Sequence, residues 1–172
     1  MSPAKTGFSV FGFVISLGLI FILVAVSLWA WNPLERIKQS RDGQRIANLD
    51  LIKNAIDETV SEETPLASTF GVPSSTVGVE VSASPDGSGW VPMDLSDHFE
   101  ELPDDPENGR TFEDILGSKV LGEYQFISDG KFYIIRTHLE AEISLERYAQ
   151  DGSDNSWYEV GSAPGMSTYF GL

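Results

Sequence analysis

The chain has 172 residues and no cysteine, and its 26 Asp and Glu outnumber its 11 Lys and Arg, which gives a formal net charge of −15. The absence of cysteine excludes disulfide bridges, thiolate metal sites and a cysteine nucleophile. Because so acidic a chain repels phosphate backbones, we expect no direct binding of DNA or RNA.

The first element is an apolar stretch, residues 8–31, which reads FSVFGFVISLGLIFILVAVSLWAW and has no charged residue. A helix of this length reaches about 36 Å, enough to cross a hydrocarbon core of about 30 Å. A cleaved secretory signal is the alternative, but its apolar core spans about 7–15 residues and precedes small residues. Here Trp29 and Trp31, which suit the interfacial aromatic belt of a membrane, precede Asn32 and Pro33. The stretch therefore predicts a retained single-pass membrane helix.

A second helix is predicted to follow directly. Asn32-Pro33 can cap and restart a helix, because proline is favoured at the first helical position. Apolar residues then recur at steps of three and four, which predicts an amphipathic helix over about residues 33–62, with polar residues such as Arg45 between them. We expect this apolar stripe to pack on the rest of the chain. Its members are Ile46, Leu49, Ile52, Ile56 and Val60.

The remainder, residues 64–172, has the signals of short strands and loops. Alternation over 77–83 predicts a half-buried strand, and residues 157–160 predict a final one. Asp129-Gly130 lies between two strand-like runs and predicts a tight hairpin. The fold class that we predict is α+β, a long N-terminal helix with a transmembrane half and an amphipathic half, packed on a small antiparallel β-sheet.

No arrangement of residues points to catalysis. The chain has no G-x-S-x-G, P-loop or HExxH sequence, so we expect no enzyme. His98 and His138 are interpreted as an exposed loop residue and a strand-end residue.

One loop offers the oxygen ligands that Ca²⁺ prefers. The candidates in this loop, 151–156, are Asp151, Asp154 and Asn155. A polar turn without metal is the alternative, because the spacing departs from the EF-hand pattern.

The order of elements resembles that of type IV pilins and the pseudopilins of type II secretion. Lys5-Thr6-Gly7-Phe8 is similar to the site of prepilin peptidase, where a short basic leader ends in glycine. Further motifs occur in the same order as in pilin-like proteins: Arg41-Asp42-x-x-Arg45-x-x-x-Leu49, Trp90-Val91-Pro92-Met93-Asp94-Leu95, Leu102-Pro103-x-Asp105-Pro106-x-Asn108, Tyr124-x-Phe126, Leu139-Glu140, Asp151-Gly152 and Tyr158-Glu159-Val160-Gly161.

The resemblance implies a processed, membrane-stored filament subunit. Cleavage after Gly7 would remove the leader 1–7 and leave a methylated Phe8 at the N-terminus. Residues 8–31 would form the membrane and filament-core helix, 32–63 its amphipathic continuation, and 64–172 an extracytoplasmic head. The implied partners are copies of itself or related pilin subunits, prepilin peptidase, the assembly platform and, before assembly, membrane lipid.

Two features depart from this expectation. The family usually has Glu at the fifth position after cleavage, where this chain has Gly12. This difference implies a minor subunit, and it leaves open a permanently anchored extracytoplasmic binding module with an acidic head. The implied orientation has the N-terminus in the cytoplasm, although Lys and Arg are more numerous after the apolar stretch than before it.

Overall fold

A computed structural model describes residues 9–61, 64–78, 83–151 and 156–172. The chain divides into two units, one ending at Arg36 and the other beginning at Ile37. The division falls a few residues after the position at which the sequence predicts the membrane helix to end.

The first unit contains helix α1, Val10–Trp31. The hydroxyl of Ser9 caps its start by accepting a hydrogen bond from the amide of Gly12 at 3.4 Å. Ser16 and Ser27 donate their hydroxyls to carbonyls four residues earlier, so both polar groups are satisfied within the helix. Asn32 ends α1 in the left-handed conformation, with φ 33°, and Pro33 begins the next helix, so the predicted restart is confirmed.

The large apolar side chains described in α1 are between 44 % and 76 % exposed. Among the described residues, the helical run that begins at Val10 is the one long and apolar enough to cross a membrane. In length and composition, this run agrees with the predicted single membrane span.

The second unit is built from helix α2 beyond Arg36 and two antiparallel sheets. The larger sheet has the strand order β1-β4-β5-β6, and β2 pairs with β3 separately. This is an α+β arrangement with a long N-terminal helix and a small antiparallel sheet, as predicted. The elements are α2 Pro33–Ser61, β1 Ser74–Ser75, β2 Thr111–Glu113, β3 Lys119–Leu121, β4 Gln125–Ser128, β5 Tyr133–Thr137, a 3₁₀ turn Glu142–Ser144, α3 Leu145–Gln150, β6 Tyr158–Gly161 and α4 Ser167–Phe170.

The predicted hairpin is confirmed as β4 and β5, in which Phe126 pairs with Ile135. The carboxylate of Asp129 accepts the amides of Lys131 and Phe132, each at 2.8 Å, which closes the turn. Gly130 has φ 87°, a conformation that side chains disfavour.

The predicted strand over 77–83 is not seen where the structure describes that segment. Val77 lies in a bend and Ala83 in a turn, while residues 79–82 lie outside the described part. The strand next to β4 is instead the two-residue β1, in which Ser74 pairs with Phe126. The predicted final strand is present as β6, shifted by one residue.

The larger sheet is buried on both faces. Phe126, Tyr133 and Ile135 belong to the main core, together with the apolar face of α2 and the loop around Trp90. Ile127 and Ile134 on the opposite face form a second cluster with the C-terminal segment. The main cluster comprises Leu49, Ile52, Ala55, Ile56, Trp90, Val91, Met93, Leu95, Leu102, Tyr124, Phe126, Tyr133, Ile135, Leu139, Tyr148 and Tyr158.

Candidate functional site

The buried face of α2 carries charged residues as well as apolar ones. Leu49, Ile52 and Ile56 have no solvent exposure. The same helical spacing leads back to Arg45 and Asp42, which are 0 % and 1 % exposed. The face therefore changes from apolar to ionic toward the start of the helix.

Six side chains meet there, and we name them the ion cluster. They come from α2, from the loop before β2 and from the segment after β5. Its members are Arg41, Asp42, Arg45, Asp105, Glu107 and Glu140.

Arg45 is the centre of the ion cluster. Its Nε and Nη2 donate to the two carboxylate oxygens of Asp105 at 2.8 and 3.1 Å, the paired geometry that guanidinium favours. Its Nη1 donates to Asp42 at 2.9 Å and to Glu140 at 2.7 Å. The ring of Phe112 lies 4.5 Å from Cζ and covers the group.

Asp42 ties α2 to the backbone of the segment after β5. Its carboxylate accepts the amide of Ala141 at 2.9 Å and that of Glu140 at 3.1 Å. The hydroxyl of Ser144 donates to it at 2.7 Å. A buried carboxylate is tolerated when donors surround it in this way.

Arg41 closes the cluster at its partly exposed edge. It donates twice to Glu140, from Nε and Nη2, each at 2.6 Å. Its Nη1 lies 3.1 Å from Glu107. Glu140 thus links two arginines from successive turns of α2.

The electrostatics of the ion cluster favour its charged forms. Burial by itself would raise the pKa of Glu140, but the hydrogen bonds and charges of Arg41 and Arg45 outweigh burial and lower it. Burial would lower the pKa of Arg45, and Asp105 and Glu140 together raise it instead. Both side chains therefore stay ionised in the folded protein at neutral pH.

Further polar contacts join α2 to the head beyond the cluster. The amide of Asn48 donates to the hydroxyl of Tyr124 at 3.0 Å. Near the end of the helix, the hydroxyl of Tyr133 donates to Asp57 at 2.6 Å. The helix is thus held at several levels along its buried face.

Several separate motifs of the sequence meet at this interface. Arg45 belongs to the motif on α2, Asp105 to the proline-rich loop and Glu140 to the pair after β5. Sequence reasoning noted each motif but missed the contacts between them. The available signal was the spacing of positions 42, 45, 49, 52 and 56, which places two charged residues on the buried face.

The residues predicted to pack on the head differ in their burial. Leu49, Ile52 and Ile56 lie in the core, and Ile46 is partly buried against it. Val60 is 38 % exposed, and it lines a shallow surface cavity of about 200 Å³ with Leu66 and Tyr133 among others.

The predicted processing residues, Gly7 and Phe8, lie outside the described residues. Processing at this site remains a prediction.

The calcium candidates are described only in part. Asp151 accepts the amide of Glu159 at 3.2 Å and lines a surface cavity of about 330 Å³ with Asp50 and Lys53 among others. Asp154 and Asn155 lie outside the described residues. Within the described ranges, no group of three or more His, Asp or Glu side chains is arranged to hold a metal ion.

The two histidines have different surroundings. His138 stacks on Trp157 with ring centroids 3.7 Å apart, and its Nδ1 lies 2.8 Å from the carbonyl of Ser156. Burial lowers the pKa of His138. His98 is exposed, with Nε2 3.5 Å from the hydroxyl of Thr59.

The fold and the ion cluster define a class of protein, one with an α+β head packed on helix α2. The same chain also has an apolar helix, α1, that is long enough to span a membrane. No protein-family model, curated protein or solved structure matches this chain.

Proposed function

We propose that this protein is a structural subunit of a type IV pilus or pseudopilus-like filament. Prepilin peptidase cuts after Gly7, the apolar helix waits in the membrane, and the assembly platform moves it into a filament core. The observation that carries the proposal is the exposed apolar surface of α1, which contains no charged residue and is followed directly by a helix built into the head. In the filament, contacts between such helices replace contacts with lipid.

The ion cluster supports this proposal because assembly moves subunits through their helices. A head that travels with its helix needs a firm attachment near the membrane segment. Arg45 and Asp42 provide ionic contacts on α2 soon after α1 ends, and Ile52 and Ile56 provide apolar ones farther along. Pulling on α2 therefore moves the head with it, because α2 beyond Arg36 and the head belong to the same unit.

Gly12 supports a minor role rather than that of the main subunit. An acid within the membrane is costly unless it is paired, and its pairing would fix the register of a neighbour. This chain has glycine there, and an added Cβ at Gly12 would contact only Ser9, at 3.8 Å. The helix therefore lacks that means of setting register, as suits a subunit present in few copies.

The N-terminal residue of the native protein tests the proposal. We expect Phe8 at the N-terminus and the protein in filaments sheared from cells. Gly7→Val should leave the leader attached and remove the protein from the sheared fraction. Gly43→Val is the matched control, because Gly43 is exposed on α2, outside the apolar helix, and nothing lies within 4 Å of a Cβ added there. A protein that keeps its first seven residues and remains in the membrane would instead be an anchored binding module.

The orientation has its own test. A phosphatase active only outside the cytoplasm, fused after Leu172, should be active if the head is extracytoplasmic. An inactive fusion that is still present in the membrane fraction would reverse the proposed topology.

A further inference from the structure

A surface cavity of about 330 Å³ lies in the second unit, and we name it the β6 cavity because strand β6 forms one of its walls. Its volume is at the lower end of the range of protein sites that hold small molecules. The other walls come from α2, α3 and the segment before α4. The lining includes Asp50, Arg147, Gln150, Tyr158, Val160 and Met166.

Tyr158 presents an unpaired hydroxyl to the β6 cavity. Its ring belongs to the main core, and the residue is only 7 % exposed. The hydroxyl makes no hydrogen bond to another residue that the structure describes. In the same part of the chain, the sealed side-chain atoms without a partner are Trp90 Nε1 and Asp114 Oδ2, so the Tyr158 hydroxyl is open to the cavity. Because a buried tyrosine usually pairs its hydroxyl, this one is available to a ligand.

Asp50 and Arg147 supply one charge of each sign beside this hydroxyl. Both residues are exposed, and neither side chain forms an ion pair or a hydrogen bond within the described ranges. Both act on the same group, because burial and the charge of Asp50 raise the pKa of Tyr158 whereas Arg147 lowers it. With a raised pKa, the hydroxyl stays protonated at neutral pH and can donate a hydrogen bond.

The other charged side chains along the cavity already have partners. Lys53 donates to a carboxylate one turn farther along α2, at 2.5 Å. Asp151 accepts the amide of Glu159 at 3.2 Å, and Glu159 in turn accepts a backbone amide at 3.0 Å. Of the charged lining residues that the structure describes, Asp50 and Arg147 are therefore the ones left to bind a ligand.

The mixture of charges decides which ligand fits. A simple anion would be attracted by Arg147 but repelled by the nearby carboxylates, and a simple cation would meet two basic side chains. A molecule that carries both an ammonium and a carboxylate group can satisfy both free charges. Its apolar part would contact Val160 and Met166, which line the same cavity.

We propose that the β6 cavity binds an α-amino acid with an apolar side chain. Arg147 and the hydroxyl of Tyr158 bind the carboxylate, because both groups donate hydrogen bonds. Asp50 accepts the ammonium group, and Val160 and Met166 contact the side chain. All five residues belong to the second unit, so this binding does not depend on the proposed filament function.

Calorimetric titration of the full-length protein in detergent, with L-leucine and with L-methionine, tests the proposal. We expect saturable binding of one molecule per chain. No binding of either amino acid at millimolar concentration would overturn the proposal.

Two derivatives of leucine test whether both charges are recognised. N-acetyl-L-leucine lacks the ammonium group and resembles the C-terminus of a peptide, and L-leucinamide lacks the carboxylate and resembles an N-terminus. Each should bind at least about tenfold more weakly than L-leucine, because each loses a hydrogen-bonded charge. Equal or tighter binding of either derivative would overturn the proposal and assign the cavity to a peptide end.

Matched variants locate the two charged contacts. Arg147→Gln should weaken L-leucine at least about tenfold but leave the affinity for L-leucinamide unchanged, and Asp50→Asn should do the same for L-leucine and N-acetyl-L-leucine. The controls are Arg110→Gln and Asp97→Asn, which replace exposed residues outside the cavity and should bind as the native protein does. Equal losses in the variants and their controls would refute the assigned contacts.

Tyr158→Phe tests the hydroxyl separately, since it keeps the ring in the core. We expect about a fivefold loss of affinity for L-leucine, the effect of one lost hydrogen bond. The midpoint of urea unfolding should stay the same, because the hydroxyl has no partner among the described residues. An unchanged affinity would exclude Tyr158 from the site.

Discussion

Arg45 is a fully buried cation whose charge is compensated within the ion cluster by Asp42, Asp105 and Glu140. Such a group contributes little net stability relative to an apolar replacement of the whole cluster. Loss of the arginine alone is different, because it leaves several carboxylates buried without their partner. The residue therefore has an effect far larger than that of a surface arginine.

We predict that Arg45→Met lowers the free energy of unfolding by about 3–5 kcal/mol, since it leaves buried carboxylates uncompensated. The control is Arg110→Met, because Arg110 is 78 % exposed and its ion pair with Glu107 is a surface pair of 3.6 Å; this change should cost at most about 1 kcal/mol. Urea unfolding of the full chain in detergent, followed through tryptophan fluorescence to which buried Trp90 contributes, measures both. Equal values for the two variants would contradict the role assigned to the cluster.

Glu140 gives the ion cluster a defined pH dependence. Its pKa lies below the ordinary value of 4.5 in the folded protein, because Arg41 and Arg45 outweigh burial. A carboxylate whose pKa is lowered by folding adds to the free energy of unfolding, and this addition is complete above the pKa that the same group has in the unfolded chain. It disappears as the pH falls through the folded pKa.

Glu140→Gln should therefore be less stable than the native protein at pH 7 by about 1.5–3 kcal/mol, the worth of hydrogen bonds to a charged group. We predict that this gap narrows as the pH falls below about 4.5, where unfolded Glu protonates. Urea unfolding at a series of pH values measures it, with the exposed Glu100→Gln as control. A gap that stays constant down to pH 3 would show that the charge of Glu140 is not what stabilises the fold.

At the scale of elements, the burial of α2 alternates sharply between neighbouring residues. Ile52 has no exposure, whereas Leu51 is 56 % exposed. We predict that Ile52→Ala costs about 2–5 kcal/mol, because it removes buried methyl groups and leaves a cavity. Leu51→Ala should change stability by less than about 0.5 kcal/mol. Urea unfolding at pH 7 compares the two, and similar losses would mean that α2 packs through a different face.

The elements that local patterns predict correctly have local causes. The β4–β5 hairpin follows from Asp129-Gly130, whose carboxylate and positive φ make the turn independently of the rest of the chain. The start of α2 follows from Asn32-Pro33, and its apolar face from residues spaced by three and four. Each of these signals lies within one continuous stretch of at most about four helical turns.

Other features depend on contacts between distant parts of the chain. The two serines of β1 form a strand only because they pair with β4, and no property of the pair indicates this. Asp105 and Glu140 lie 60 and 95 residues beyond Arg45, so periodicity cannot identify them as its partners. Periodicity does place Arg45 on the buried face, but a reading that counts only apolar residues overlooks charged ones there.

At the scale of the whole molecule, the chain combines surfaces suited to different solvents. The large side chains described in α1 are apolar and exposed, whereas the acidic residues are concentrated after the start of α2. Water solvates the acidic head well, but it solvates α1 poorly. An apolar helix whose described side chains are exposed requires either lipid or other helices around it.

The membrane affinity of α1 depends on its surface being free of charge. Leu19→Arg with Leu23→Arg places two charges on residues that are 57 % and 66 % exposed, each costing about 2.5–3.5 kcal/mol at the centre of a span. We expect this variant to leave the membrane fraction after alkaline extraction. Leu34→Arg with Ile37→Arg is the matched control, because these residues are also exposed and apolar but follow Asn32. The control should stay in the membrane, since lipid must surround α1 but not α2. Release of both variants, or of neither, would show that α1 does not form the anchor.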